Sequence, residues 1–443
     1  MKLQCYPIVN SNIIREIQQP QYSAFLYKYQ GSYYPIHLNT TAANIFKLCD
    51  GTKTAEDICA ALAENNSYAM SEVVPTVTKF IEQAQQYGHI EWRDHPVGNA
   101  QIIESQGSRD YWTPELLSIE LTTKCPLYCK HCYVNAGAGT SMDNNLLKSI
   151  IGQAQRLGIQ ELQFTGGEPL LYNDLALYVQ DALDAKCRVQ IFTSGYICDN
   201  HTIAQFKKFA GERLHFQVSL DGLEEYHDAF RGVKGSFSRA THFLEEMHNL
   251  GFQTTVGTTI DSQSYSDMRN LCQHCKKVGV SVLRLGTITN QGRAEKNNLE
   301  RDNDKIKFTE EMKCLLKASE ETNNFKIFLA EEPPQNTNIL KNCGLGQLLL
   351  KINPEGLVFP CLMSDMCIGN LNNSSIVEIQ RRTSRLFENI EAPNNSACAS
   401  CKYCMLCNSC IVEGMLHCNK SGTCAWKQHN INVLSEIQKR ASL

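Results

Sequence analysis

The sequence predicts an α/β protein: a partial (β/α)6 barrel, preceded by a winged-helix-like α+β unit and followed by a cysteine-rich region. Three observations carry this. From Leu116, six short apolar strands alternate with helix-length amphipathic segments, as parallel strands joined by crossover helices do. Before residue 95, two alternating runs are followed by three helical periodicities. From about residue 336 the periodicity fades and cysteines crowd. The parts read as 1–95, a polar, Pro- and Gly-broken linker at 96–115, a barrel at 116–335 and a cysteine-rich region at 336–443.

In the first part, SAFLYKYQ and SYYPIHLN flank Gln30-Gly31 and read as a hairpin. TTAANIFKLC is helical. Thr54-x-x-Asp57 is a capping-box pattern opening ICAALAEN. Ser71 is expected to cap a longer helix bearing Val77, Phe80, Ile81 and Ala84, stopped by Gly88, with HIEW a further strand.

The barrel strands are LLSIEL, ELQFT, RVQIFT, LHFQVSL, QTTVGTTI and SVLRLG. The polar motifs lie just after strands, at their C-terminal ends, where parallel α/β proteins place chemistry. In the last part KINPEGLVFP reads as a hairpin about Pro354-Glu355-Gly356. A region without a continuous apolar core needs metal or disulfide staples.

A net charge of −4 in 443 residues gives no reason to expect a nucleic-acid or anionic-membrane partner. The start, MKLQCYPIVN, lacks the apolar run of a signal peptide, and no stretch approaches the ~20 apolar residues of a membrane span. A cytoplasmic protein is expected. In a reducing cytosol the 21 cysteines favour metal or redox chemistry where they cluster. Cys5, Cys49, Cys59, Cys187, Cys198, Cys272, Cys275 and Cys314 read instead as ordinary small apolar residues.

After the first barrel strand comes CPLYCKHC, with Cys125, Cys129 and Cys132 spaced C-x3-C-x2-C. Three thiolates can hold three corners of a [4Fe–4S] cube and leave one iron open. The same spacing also falls on one helical face, but Pro126 and the place after a strand argue against a helix. The next strands end in Thr165-Gly166-Gly167-Glu168-Pro169, Thr193-Ser194-Gly195 and Ser219-Leu220-Asp221-Gly222. The glycines would let a ligand approach the backbone.

On these motifs, over about 116–290, the chain resembles the radical S-adenosylmethionine enzymes, whose fold is a partial, TIM-like barrel. The resemblance implies that AdoMet chelates the open iron. It implies that Gly166, Gly167, Glu168 and Pro169 face the AdoMet amino group, that Ser194 contacts the ribose, and that Ser219 and Asp221 line the cofactor. Arg231, in DAFRGVKGSF, matches the arginine that pairs with the AdoMet carboxylate. One electron from the cluster would yield a 5′-deoxyadenosyl radical that takes a substrate hydrogen.

The last part resembles the SPASM domain, which binds auxiliary iron–sulfur clusters. Cys343-x12-Gly356-x4-Cys361 and Cys398-x2-Cys401-x5-Cys407 match its pattern, with Cys424 last. The step from Cys407 to Cys410 is one residue short. This register puts Cys398, Cys401, Cys407 and Cys424 on one cluster and Cys343, Cys361 and Cys410 on another, with Cys404 spare. A shifted register, Cys401-x2-Cys404-x5-Cys410, also fits. The fourth position of the Cys343 cluster falls to Cys418, Cys367 or a substrate thiolate. Structural zinc is the competing occupant, since paired C-x2-C suits a site of four thiolates.

LNTTAANIFKLCDGTKTAEDI resembles the PqqD-like domain that recognises precursor peptides. The three-part order is similar to sactipeptide and related thioether-forming maturases. The implied partners are a ribosomal precursor peptide with a leader, which adds as a strand to a sheet edge, and a reductant such as flavodoxin or ferredoxin. The implied reaction joins a cysteine sulfur to a carbon. Other radical modifications of a peptide (a carbon–carbon crosslink, epimerisation, formylglycine formation) and a non-catalytic metal-binding regulator of peptide or DNA are the alternatives.

Overall fold

A computed structural model describes residues 3–29, 32–100, 102–289, 291–299, 303–329, 342–394, 398, 401, 403–407, 410–418 and 424–441. The chain forms two compact units, Met1–Thr113 and Pro114–Leu443.

In the first unit β1 (Tyr6–Val9) pairs with β5 (Ile90–Arg93), and a second sheet runs β4 (Ser32–Asn39), β3 (Tyr22–Tyr29), β2 (Ile13–Gln18), β6 (Glu104–Gly107). The expected hairpin is β3–β4, antiparallel from Tyr22↔Asn39 to Tyr29↔Ser32; its turn lies outside the described residues. Pro35 sits in β4, an outer strand, where a missing N–H is tolerated. Helices Thr40–Leu48, Ala55–Asn66 and Met70–Gln86 cover a core of Phe25, Phe46, Ile58, Val77 and Ile81. Thr54 and Asp57 form the expected capping box. Ser71 is not a cap: the third helix begins one residue earlier, and Glu72 accepts from the Ala69 amide at 3.3 Å.

Part of the stretch read as a linker is strand β6, parallel to β2. Its anchors are polar. Gln106 accepts from Arg15 at 3.2 Å, Ser105 donates to the buried Glu16, and Arg109 donates to the carbonyls of Gln19 and Tyr22 at 2.8 and 2.7 Å. A strand held this way leaves no alternating apolar signature to read.

In the second unit the parallel strands run β14 (Lys326–Leu329), β13 (Val282–Thr287), β12 (Thr254–Ile260), β11 (Leu214–Ser219), β10 (Arg188–Thr193), β9 (Glu161–Gly166), β7 (Leu116–Lys124), β15 (Leu349–Ile352). The six expected strands are all present, and β14 and β15 extend the sheet at its two ends. The hairpin β15–β16 (Leu357–Phe359) turns where expected, with Gly356 at φ +82°. β17 (Gly369–Asn370) follows, and β8 (Ala138–Ser141) returns antiparallel on β7. The β7–β9 register slips between Glu120 and Thr122, a bulge that re-aims the chain just before Cys125.

The helices cover the sheet with amphipathic faces; Asn144–Leu157, capped by Asp143, buries Leu147, Ile150, Ala154 and Leu157. The cysteine-rich region shares a continuous apolar core with the barrel. Ile376, Ile379, Phe387, Ile411, Val412, Trp426 and Ile437 belong to the same apolar core as Leu117 and Phe164. Helix Ile376–Phe387 shows why composition misled: its buried face also carries Gln380, Thr383 and Ser384, so it reads as polar.

Candidate functional site

β7 stops at Lys124, and the chain turns through Cys125, Cys129 and Cys132 without forming a helix. Three of the loop's amides reach outside it: Cys125 N–H to the Gly137 carbonyl at 2.9 Å, Tyr128 N–H to the Arg231 carbonyl at 3.0 Å and Lys130 N–H to the Phe230 carbonyl at 3.0 Å. The three thiols share one space. Burial pushes the Cys125 thiol up to about 12, and the charges of Glu168, Cys129 and Cys132 add to it. Burial raises Cys129 too, against the nearby Arg231.

Arg231 ends helix Glu224–Arg231 and is buried. Its Nε donates to Asp221 Oδ2 at 2.6 Å and its Nη1 to Cys129 Sγ at 3.7 Å. Asp221 Oδ1 accepts from the Thr259 amide at 2.9 Å. Despite burial, the guanidinium holds this carboxyl below its ordinary range. The Asp221 amide donates to His227 Nδ1 at 3.2 Å. Arg231 thus ties the end of β11 to the cysteine loop.

A second arginine, which sequence reasoning missed, braces the other side. Arg293 is buried and donates to the Cys129 carbonyl at 2.8 Å and the Ala136 carbonyl at 2.5 Å. Its amide meets the Cys132 carbonyl at 2.9 Å, and its guanidinium stacks on Tyr128 at 4.3 Å. Its Nη2 is buried without a hydrogen-bond partner. Gly292, at φ +62°, has only 2.4 Å between a would-be Cβ and the Cys132 carbonyl. The signal was Gly292-Arg293 just past a strand end.

Gly166, Gly167, Glu168 and Pro169 lie at the end of β9. A Cβ on Gly166 or Gly167 would stand 2.2 Å from the Thr122 or Lys124 carbonyl. The glycines therefore let β9 press on the end of β7, so the close approach is by the chain itself. The Gly167 and Glu168 amides donate to those same carbonyls at 2.6 and 2.8 Å. Glu168 is fully buried and accepts from Thr193 Oγ1 at 2.6 Å, the Ser194 amide at 2.9 Å, the Leu170 amide at 3.1 Å and the Ser194 hydroxyl. It clamps the ends of β9 and β10 together. Pro169 opens a one-turn 3-10 helix, and Ser219 closes β11 opposite Gly257.

The C-terminal cysteines gather in two groups. Cys410 lies near Cys361 and Cys343; burial, with their charges, pushes its thiol up to about 12. Cys398, Cys401, Cys404, Cys407, Cys418 and Cys424 line one pocket. Cys404 is thus not set apart from the register's four. Cys418 stands with this group, and Cys367 donates to the Gly369 carbonyl at 3.3 Å. Of the cysteines read as ordinary, Cys49, Cys59, Cys187, Cys272 and Cys275 are buried in the two cores.

Between the cysteine loop and the β15–β16 hairpin opens a cleft of about 580 Å³, lined among others by Glu120, Tyr133, Gln291, Lys351 and His417. His417 also lines the six-cysteine pocket.

Family models match all three parts: the Radical SAM superfamily over residues 119–275, coenzyme PQQ synthesis protein D (PqqD) over 25–90, and the SPASM iron-sulfur cluster-binding domain over 343–405. The chain is a radical SAM/SPASM protein. This radical SAM/SPASM chain is 23% identical to the antilisterial bacteriocin subtilosin biosynthesis protein AlbA of Bacillus subtilis, over 89% of each. It is 25% identical to an AdoMet-dependent heme synthase of Methanosarcina barkeri, over 67% of this chain and 91% of that one. Its fold matches Streptococcus suis SuiB, solved with the precursor peptide SuiA, at a TM-score of 0.64 and 14% identity, covering 93% and 97% of the two chains.

Its radical SAM domain binds S-adenosyl-L-methionine and a [4Fe–4S] cluster, and its SPASM domain binds auxiliary clusters. The residues present fit. Thiols disfavoured from ionising by burial and by one another are relieved by a cationic cluster. Among the described residues no three His, Cys, Asp or Glu side chains converge as tightly as one metal ion needs; a cube binds each thiolate at a different iron. The SPASM match ends before Cys407, Cys410 and Cys424, which join their groups through the tertiary structure.

Proposed function

We propose that this chain modifies a ribosomally made precursor peptide by joining a cysteine sulfur to a carbon. Cys125, Cys129 and Cys132 hold the radical SAM cluster. Gly166 to Pro169, Ser194, Ser219 and Asp221 form the wall where AdoMet lies. Arg231, engaged by Asp221 and Cys129, positions the cysteine loop; the carboxylate-pairing role that the resemblance implies is left to its remaining N–H groups. When bound, cluster and AdoMet supply a radical that removes a substrate hydrogen atom. Cys398, Cys401, Cys407 and Cys424 hold one auxiliary cluster, and Cys343, Cys361 and Cys410 hold another.

The observation that carries this reading is the shared wall at His417. Forming a thioether removes two hydrogens, so one electron needs an acceptor beside the substrate. The cleft where a peptide would lie and the pocket where a redox group would sit meet at that side chain. AlbA, named for subtilosin biosynthesis, and SuiB, solved with a precursor peptide, support a peptide substrate. In the first unit β4 is an outer strand that pairs with β3 alone among the described residues, an edge a leader strand could extend.

The test is anaerobic co-production with a cysteine-containing precursor encoded beside the enzyme, followed by mass analysis. Loss of two hydrogens per bond, with AdoMet cleaved, is expected. An unchanged mass, or one deuterium gained in heavy water, overturns thioether formation in favour of epimerisation. No AdoMet cleavage overturns the enzyme.

A further inference from the structure

The cleft carries charge that the reading above does not use. Glu120, Glu295, Glu355 and Asp365 line it against a single lysine, Lys351. Glu295, Glu355 and Asp365 are exposed rim groups, which on their own mean little. Glu120 is different. It comes from the strand β7, is only 6% exposed, and its Oε1 is buried without a hydrogen-bond partner. A buried carboxylate oxygen lacking a donor is costly, and native structures rarely leave one so. Burial pushes this carboxyl up, against the opposing charge of Lys351 and with that of Glu355. Lys351 makes no ion pair with it; that ammonium lies over the Phe359 ring at 4.5 Å.

A group entering the cleft would therefore meet an acidic rim, then a buried acceptor with nothing bound to it. A carboxylate is repelled at both places and a neutral apolar side chain leaves Oε1 unsatisfied. A cation on an apolar stem suits both. Its stem can lie along Tyr133, Pro354 and Leu416 in the same cleft while its N–H groups reach Glu120.

We propose that the peptide segment occupying this cleft presents a lysine or arginine side chain to Glu120, drawn in by Glu295, Glu355 and Asp365. This rests on the peptide-modifying reading and names the chemistry of the segment that reading leaves open.

The test uses the full reconstituted chain and two fluorescein-labelled synthetic decapeptides. They are identical except that one has two lysines where the other has two glutamines. Fluorescence anisotropy is expected to show the lysine peptide binding about tenfold more tightly at low salt, with the gap shrinking as salt rises. Glu120→Gln is expected to reduce the preference several-fold with the thermal midpoint retained. Should Glu120→Gln fold poorly, the exposed triple variant E295Q/E355Q/D365N carries the test: it should weaken the preference and flatten its salt dependence. Equal binding of the two peptides, binding of neither, or a lysine preference undiminished in both variants overturns the proposal. AdoMet cleavage is measured on the same preparation. Cleavage without lysine preference removes this inference and leaves the function; preference without cleavage does the reverse.

Discussion

Arg231 Nε lies 2.6 Å from Asp221 Oδ2, with both side chains buried, and the same guanidinium reaches Cys129 Sγ. A pair out of water depends on both members, because the survivor is left charged and unsatisfied. Asp221→Asn or Arg231→Met is therefore expected to cost about 3–5 kcal/mol. It should also lower the iron retained by the cysteine loop. Urea unfolding and an iron count on the same preparation check this; a variant with parental stability and iron would show that the pair holds nothing.

His227 links this pair to pH. Its Nδ1 accepts from the Asp221 amide, and burial holds the ring down near about 4. The unfolded ring titrates near 6.5, so the unfolded chain takes up the proton first. Stability is then complete above that value and falls as pH drops. The loss is about 1 kcal/mol between pH 7 and 5.5. His227→Gln should flatten this slope, leaving the part due to His131, whose pKa is also lowered to about 4. Unfolding midpoints across that range decide it.

Arg293 bridges the Cys129 and Ala136 carbonyls. Lysine keeps the charge but not the planar fork. Arg293→Lys should keep the fold and lose iron from the first cluster, about four per chain, while auxiliary absorbance persists. Full iron retention would reduce Arg293 to packing.

Gly166→Ala should be severe, because its Cβ meets the Thr122 carbonyl at 2.2 Å and φ is +127°. A loss of about 3 kcal/mol or more is expected. Gly137→Ala, with nothing within 4 Å, should be nearly neutral. Thermal melts of the two side by side test whether the glycines serve strand contact.

Six cysteines line a pocket for which the register needs four. Cys407→Ala is expected to remove about four irons per chain and Cys404→Ala none. The opposite result would establish the shifted register through Cys404 and Cys410.

Elements with a strong period were legible. The β3–β4 hairpin, the Thr54 capping box and the six barrel strands all follow from local pattern. β6 was not, since its anchors are Glu16, Arg15 and Arg109 rather than alternating apolar residues. The four-residue strand β14 is too short for a period to register. Glu168 was legible as part of a motif but not as the clamp on Ser194, and the pairing of Arg293 with Cys129 spans 164 residues.

The sequence by itself determined the order of the three parts and the chemistry they carry, because C-x3-C-x2-C and the strand-end motifs are local spacings along one chain. Only the tertiary structure decided which thiols gather, which carboxylate takes Arg231, and that Glu120 faces a cleft with an oxygen unpaired. Those depend on strand order, register and the bulge after Glu120, which bring distant side chains together without leaving any mark on the residues beside them.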